Sequence, residues 1–196
     1  MFVQTNRLIE LLPYFKEKLA SHYDEREIEN IFYLILDYKF DLRKTSPELK
    51  EYRLTESELL EFRSMVKRLD AGEPVQYILG EVEFYGEKIL VDPNVLIPRP
   101  ETEELVDLIV KDHEGKEQLR VLDVGTGSGC IAIGLKKHLK DSDVTALDIS
   151  EKALEVATKS AHINDLWIDF IYLDILTESL EQFPDLDIVV SNYLGP

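Results

Sequence analysis

Residues 122–130 read Leu-Asp-Val-Gly-Thr-Gly-Ser-Gly-Cys. Gly125, Gly127 and Gly129 remove side chains where a backbone must turn tightly and approach a ligand closely. The helix expected after them presents its N-terminal N–H groups to the same loop. A dinucleotide fingerprint, GxGxxG, would place its third glycine at position 130, where this chain has Cys130. The spacing present is GxGxG after Asp123, which points away from a pyrophosphate and toward a nucleoside with a short charged tail. A Gly-rich turn of purely structural purpose is the competing reading. Asp148 ends the next apolar run, 19 residues after Gly129. An acidic residue there can accept both hydroxyls of a ribose, or can be a solvated strand end. Asp174 ends the run after that, in Tyr-Leu-Asp-Ile-Leu. Its side chain, or the backbone near Ile175, is where an adenine edge would be expected.

These residues need a frame, and the pattern from residue 119 onward supplies one. Four short β-branched runs, at 119–124, 143–148, 168–173 and 186–191, read as strands of the kind buried in parallel sheets. Helices are expected at about 130–140 and 151–163, the second with Ser150 as N-cap. Alternation of this kind implies right-handed βαβ units and a doubly wound α/β sheet.

Upstream the period is helical. Leu8, Leu11, Leu12, Phe15 and Leu19 share a face, as do Ile28, Ile31, Phe32 and Ile35. Ser46 and Pro47 offer an N-cap and first helical position, and Thr55 with Glu58 forms a capping box ahead of Leu59, Phe62, Val66 and Leu69. Gly72 and Pro74 end that helix. Residues 81–97 alternate around Gly86 and predict a hairpin. Pro98 and Pro100 then fix an extended entry to a helix whose first turn holds Glu101, Glu103 and Glu104. The expected organisation is a helical domain over 1–80, a β-hairpin linker over 81–98 and an α/β domain over 99–196.

Net charge is −17, which argues against direct nucleic-acid binding, since that relies on clustered Lys and Arg. One cysteine, Cys130, leaves no intramolecular disulfide and fits a reducing compartment. No signal peptide is evident, and the longest uncharged apolar run, Ile31 to Leu36, is too short to span a bilayer. A soluble, cytoplasmic protein is expected, without a membrane partner.

The stretch from Gly72 through Ile97-Pro-Arg-Pro-Glu-Thr-Glu103, with the loop at 122–130, Ala146-Leu-Asp-Ile-Ser150 and Ile188-Val-Val-Ser-Asn192, resembles the HemK/PrmC-type protein-(glutamine-N5) methyltransferases. That resemblance covers residues 70–192 closely and the N-terminal helices in architecture. It implies a Rossmann-like domain that binds S-adenosyl-L-methionine, with strand order 3-2-1-4 among the four runs. The implied activity is methylation of the Gln in the GGQ motif of class I peptide chain release factors, hence a role in translation termination. It further implies that Gly125, Thr126, Gly127, Ser128 and Gly129 cradle the cofactor's methionine end, that Asp148 holds the ribose, and that Asp174 and Ile175 border the adenine. Segment 96–103 would line the pocket, no metal is involved, and the N-terminal helices would recognise the release factor.

Asn192 matches the Asn of the family's Asn-Pro-Pro-Tyr motif, and the resemblance implies a catalytic role for it. An amide nitrogen is a poor nucleophile, so its protons must be accepted and its NH₂ aimed at the methyl donor; misplacement by 1 Å costs on the order of 10²-fold. Here Tyr193, Leu194 and Gly195 replace Pro-Pro-Tyr, and the three further strands of the family fold do not follow. The chain is therefore read as the front part of such an enzyme with impaired turnover. Its fourth strand would be an exposed edge that invites self-association. Rival readings are an inactive fragment that binds cofactor or partner, and an N6-adenine nucleic-acid methyltransferase, which would need a basic groove. A dehydrogenase is disfavoured by the glycine spacing.

Overall fold

Helical periodicity governs the chain up to Leu79 and strand–helix alternation governs it from Gly80. The computed structural model, which describes residues 6–179, 183 and 185–192, separates into two compact units at that point.

In the first unit a 3-10 turn, Leu8–Leu11, leads into α1 (Leu12–Leu19). It is followed by α2 (Glu25–Phe40), α3 (Glu56–Asp70) and α4 (Val75–Leu79). The two longest helices are capped by side chains. Asp24 Oδ1 accepts the Glu27 N–H at 2.8 Å to open α2. Thr55 and Glu58 form the expected capping box, with Thr55 Oγ1 accepting the Glu58 N–H at 3.3 Å and Glu58 Oε2 accepting the Thr55 N–H at 2.7 Å. The core is aromatic at its centre. Phe15, Phe32 and Phe62 are fully buried, with ring centroids 5.4 to 6.0 Å apart.

One expectation holds in position only. Ser46 and Pro47 stand as N-cap and first residue of Pro47–Lys50, but this is a single 3-10 turn, and the Ser46 hydroxyl accepts the Arg43 N–H at 2.9 Å rather than one ahead of it. The chain beyond is drawn into extended pairing instead: Arg53 bridges Arg7, and the Leu54 N–H donates to Asn6 O at 2.8 Å.

The second unit begins with β1 (Glu81–Phe84) and β2 (Glu87–Leu90), an antiparallel hairpin turning through Tyr85 (φ 49°) and Gly86 (φ 80°). Two consecutive left-handed residues make the turn whose twist matches the strands. The hairpin is fastened to α7 (Glu151–Ile163), since the Leu90 N–H donates to Ser160 Oγ at 3.0 Å and Asn164 Nδ2 to Lys88 O at 2.7 Å. Helix α5 (Pro100–Asp112) has Pro100 in its first turn with Glu101 and Glu103; Glu104 falls just beyond it. Ser150 Oγ caps α7 by accepting the Ala153 N–H at 3.2 Å.

Strands β3 (Arg120–Val124), β4 (Asp143–Asp148), β5 (Asp169–Tyr172) and β6 (Ile188–Ser191) form a parallel sheet in the order β5-β4-β3-β6. This is the expected 3-2-1-4 arrangement of an α/β methyltransferase-type fold. The central strands are buried, but β5 is mostly exposed and β6 alternates between buried and exposed, with Val189 59% exposed. Both lie at the margins of the described sheet. Helix α6 (Cys130–His138) follows β3 and is buried along most of its length. Among the described residues, no helix is long and apolar enough to cross a membrane.

Candidate active site

The loop from Gly125 to Gly129 is built by left-handed backbone. Gly125, Gly127 and Gly129 have φ of 73°, 55° and 81°, a region that residues with a Cβ seldom enter. Two of the glycines differ in what they leave room for. A Cβ on Gly129 would stand 3.0 Å from Ala157 Cβ and 3.3 Å from Ala157 Cα on α7, whereas one on Gly127 would meet nothing within 4 Å. The third glycine thus permits helix packing, and the second keeps the loop open.

Hydrogen bonds tie this loop to the end of β4. The N–H groups of Gly125 and Thr126 both donate to Leu147 O at 2.9 Å, and the Gly127 N–H donates to Asp148 Oδ2 at 2.8 Å. Asp148 Oδ1 accepts the Ser150 N–H at 2.9 Å. Each carboxylate oxygen retains a second lone pair for a further donor. Asp148 is therefore oriented by the loop it faces, which the spacing alone does not reveal.

A cavity of about 270 Å³ opens beside the loop, lined by Gly125 to Ser128, Leu96 to Arg99, Glu101, Thr102, Cys130, Ile131 and Asn192. It lies near the lower end of the volume range of ligand pockets, about 300–1,000 Å³. Asn192 reaches it from the end of β6, which pairs with β3 so that Ser191 stands opposite Val124. Ser191 Oγ donates to Val124 O at 3.0 Å, and Asn192 Nδ2 donates to Thr102 Oγ1 at 2.9 Å. The Thr102 contact lies 90 residues away in sequence, and no local motif announces it.

Gly129 and Asp148 contribute no lining to this cavity, and neither do Asp174 and Ile175. The last two follow β5 after Leu173, whose N–H donates to Asp148 O at 3.1 Å. They thus sit at the strand end next to Asp148. Asp174 Oδ1 is engaged in its own turn, accepting the Leu176 N–H at 3.0 Å. Tyr193, Leu194 and Gly195 lie outside the described residues.

Two buried groups set the electrostatics. Asp123 is 1% exposed, and Thr126 Oγ1 donates to its Oδ2 at 2.7 Å. No donor among the described residues meets hydrogen-bond geometry at its Oδ1. Burial pushes the Asp123 carboxyl up to about 6; the Thr126 hydroxyl and the nearby Ala132 amide oppose the rise, and the Asp148 charge adds to it. Burial likewise pushes the Cys130 thiol up to about 12, so it stays protonated and is no thiolate nucleophile.

No group of three or more His, Cys, Asp or Glu is gathered as a metal site among the described residues. A larger hollow, about 540 Å³, lies elsewhere, between the last turns of α5 and α6. It is lined by a mixture of Asp, Lys, Glu and His in which Lys111 is paired with Asp107 and Lys140 with Glu117. The loop cavity instead combines open backbone, an oriented carboxylate nearby and a carboxamide at a strand end. That set can hold a nucleoside with a polar tail and present one hydrogen-bond acceptor to a second molecule.

Comparison with known proteins points the same way. Residues 10–80 match the PrmC N-terminal domain family, and residues 121–195 match the Methyltransferase domain family. The chain is 46% identical over 186 residues to a release factor glutamine methyltransferase of Flavobacterium psychrophilum, covering 91% of this chain and 64% of that protein. It is 41% identical over 183 residues to the protein of the same name from Bacteroides thetaiotaomicron, covering 93% and 65%. The chain thus spans just under two thirds of the length of these curated relatives. Among solved structures, a Thermus thermophilus 16S rRNA N2 G1207 methyltransferase aligns with a TM-score of 0.50 at 20% identity, over 59% of this chain and 32% of that one. This last likeness is one of fold.

Proposed function

We propose, from the premise that the chain belongs to the release factor glutamine methyltransferase family, that the whole protein methylates the GGQ glutamine of class I release factors using S-adenosyl-L-methionine. The observation that carries the reading is the meeting of a glycine loop and a strand-end Asn at one cavity. Similarity over more than nine tenths of the chain supports the substrate. When bound, the cofactor supplies an electrophilic methyl group on a sulfonium.

The residues have room to serve that group. Gly125, Thr126, Gly127, Ser128 and Gly129 would hold the methionine end, where the open space at Gly127 admits a ligand against the backbone. Asp148, already oriented by two N–H groups, would accept the ribose hydroxyls on its remaining lone pairs. Asp174 and Ile175 would border the adenine from the neighbouring strand end. Asn192 Oδ1 would accept a hydrogen bond from the substrate amide N–H and so aim the nitrogen at the methyl group. Orientation of this kind is worth several kcal/mol of barrier, up to about 7–11 in the best-placed cases. The N-terminal helices would recognise the release factor, and the reaction would take place in the cytoplasm.

Calorimetry with S-adenosyl-L-methionine and mass spectrometry of a release factor after incubation with the whole protein test the proposal. Saturable binding and a gain of one methyl group on the GGQ glutamine are expected. An unmodified glutamine under saturating cofactor would overturn the substrate assignment.

A further inference from the structure

An exposed asparagine is ambiguous in a way that matters here. Its carboxamide presents an acceptor at Oδ1 and two donors at Nδ2, and rotation about its last torsion exchanges the two ends over a broad, shallow profile. One orientation offers the acceptor to an incoming substrate amide. The other sets NH₂ against NH₂, with no proton accepted. Asn192 stands one residue past β6, without the strand ladder to hold its side chain. The neighbouring hydroxyl does not hold it either, because Ser191 Oγ is committed to Val124 O.

We infer that Thr102 is the positioning residue that sets this orientation, binding Asn192 Nδ2 so that Oδ1 faces the substrate amide; the inference rests on the reading of Asn192 given above. Thr102 is suited to the task by where it sits. It is buried, lines the same cavity, and belongs to the first turn of α5. Pro100 fixes the backbone of that turn, and the Thr102 N–H donates to Arg99 O at 3.0 Å. Its χ1 is restricted by β-branching, so the hydroxyl is held where the backbone places it. A helical Thr can turn its own O–H toward a preceding carbonyl, leaving the oxygen's lone pairs for an incoming donor. The Nδ2 to Oγ1 separation of 2.9 Å is that of a full hydrogen bond. Among the described residues no donor reaches Asn192 Oδ1, which is the group left for substrate. Segment 96–103 therefore does more than wall the pocket, since one of its side chains sets which end of the Asn192 carboxamide faces the substrate.

Two substitutions in the whole protein test this. Thr102→Val keeps the shape and removes the hydroxyl, and Thr102→Ser restores it. With release factor as substrate, Thr102→Val is expected to lower kcat by about 10-fold or more, toward the ~10²-fold loss of a misplaced reacting group. The KM for S-adenosyl-L-methionine is expected to stay within about 2-fold, and Thr102→Ser to recover most of the loss. An unchanged kcat in Thr102→Val overturns the inference. So does a loss that Thr102→Ser fails to recover, or one shared equally by cofactor KM, since either marks a packing role. A readout independent of turnover is the side-chain ¹⁵NH₂ pair of Asn192, identified by its disappearance in Asn192→Asp. It should move to solvent-like shifts and faster exchange in Thr102→Val and return in Thr102→Ser. If it does so while the wild type transfers no methyl group, the Thr102 anchor stands and the reading of the acceptor chemistry falls. If it is the same in wild type and Thr102→Val, the anchor falls whatever the activity.

Discussion

The two units of the chain treat buried polarity in opposite ways. Every described buried polar or charged side chain, Thr102, Asp123, Thr126, Ser128, Ser142 and Ser160, lies beyond Gly80. The first unit instead buries phenylalanine and aliphatic side chains and keeps its charges in surface pairs. There Arg68 grips Glu73 through Nε at 2.7 Å and an Nη at 2.5 Å, and Lys16 reaches Glu25 and Glu29 at 2.7 and 2.6 Å. The carboxyls of Glu29, Glu58 and Glu73 are all held below the usual range, chiefly by hydrogen bonds from Lys16, from Thr55 and from Arg68. In the second unit Asp123 is displaced upward by burial. Unpaired polarity and left-handed backbone persist only where surrounding structure over-determines them, and they gather at functional sites. Here the loop joins three left-handed glycines to the buried Asp123, whose Oδ1 has no donor among the described residues.

The contrast can be broken first at the aromatic core. Phe62→Ala is expected to cost about 3–5 kcal/mol in the first unit, seen as lost amide protection over residues 56–70 by hydrogen exchange. Protection over β3 and β4 should be unchanged, and equal losses in both would refute the separation of the units.

Asp123 gives the next effect and the opposite sign from its surface counterparts. Its folded carboxyl titrates at about 6 against an ordinary 3.8. Between those values the folded protein binds more protons than the unfolded chain, so stability falls as pH rises through the window. The full cost is present above about pH 6, and is roughly 3 kcal/mol at most. Asp123→Asn should therefore raise the unfolding midpoint at pH 7.5 and flatten its dependence between pH 4 and 6. A lower midpoint at pH 7.5 would show that the ionised carboxylate stabilises the ligand-free protein.

The smallest effect sharpens the first unit's side. Glu73 is lowered by Arg68, so its contribution is present above its ordinary range and lost on acidification. Because the pair is partly exposed, Glu73→Gln should cost no more than about 1 kcal/mol at pH 7, measured by chemical denaturation. A larger loss would mean the surface pairs matter as much as the core.

Much of the architecture was legible because its signals are local. Thr55 with Glu58, Ser150 before Ala153, and Gly86 in the hairpin turn each carry their cause within a few residues. The glycine loop was legible for the same reason, since left-handed backbone demands glycine at 125, 127 and 129. What sequence could not convey is long-range. Ser46 and Pro47 spell a helix start, but pairing of Arg53 and Leu54 with residues 6 and 7 takes the chain away after one turn. The β5 run reads like a buried strand because periodicity does not distinguish a margin from a centre. Thr102 is silent in sequence because its partner, Asn192, lies 90 residues away.

The pairing of β6 with β3 also sets an order of assembly. The loop needs β3, the start of α6, the end of β4 and the turn of α7 at Ala157 on which Gly129 packs, all ahead of β5 and β6 in the chain. The contact of Ser191 with Val124 closes a sequence separation of 67 residues, and non-local closures of this kind are the slow ones. As the chain leaves the ribosome, the glycine loop and its oriented carboxylate can form first, and Asn192 arrives afterward. The side of the cavity built from local contacts thus precedes the side that closes over 67 residues.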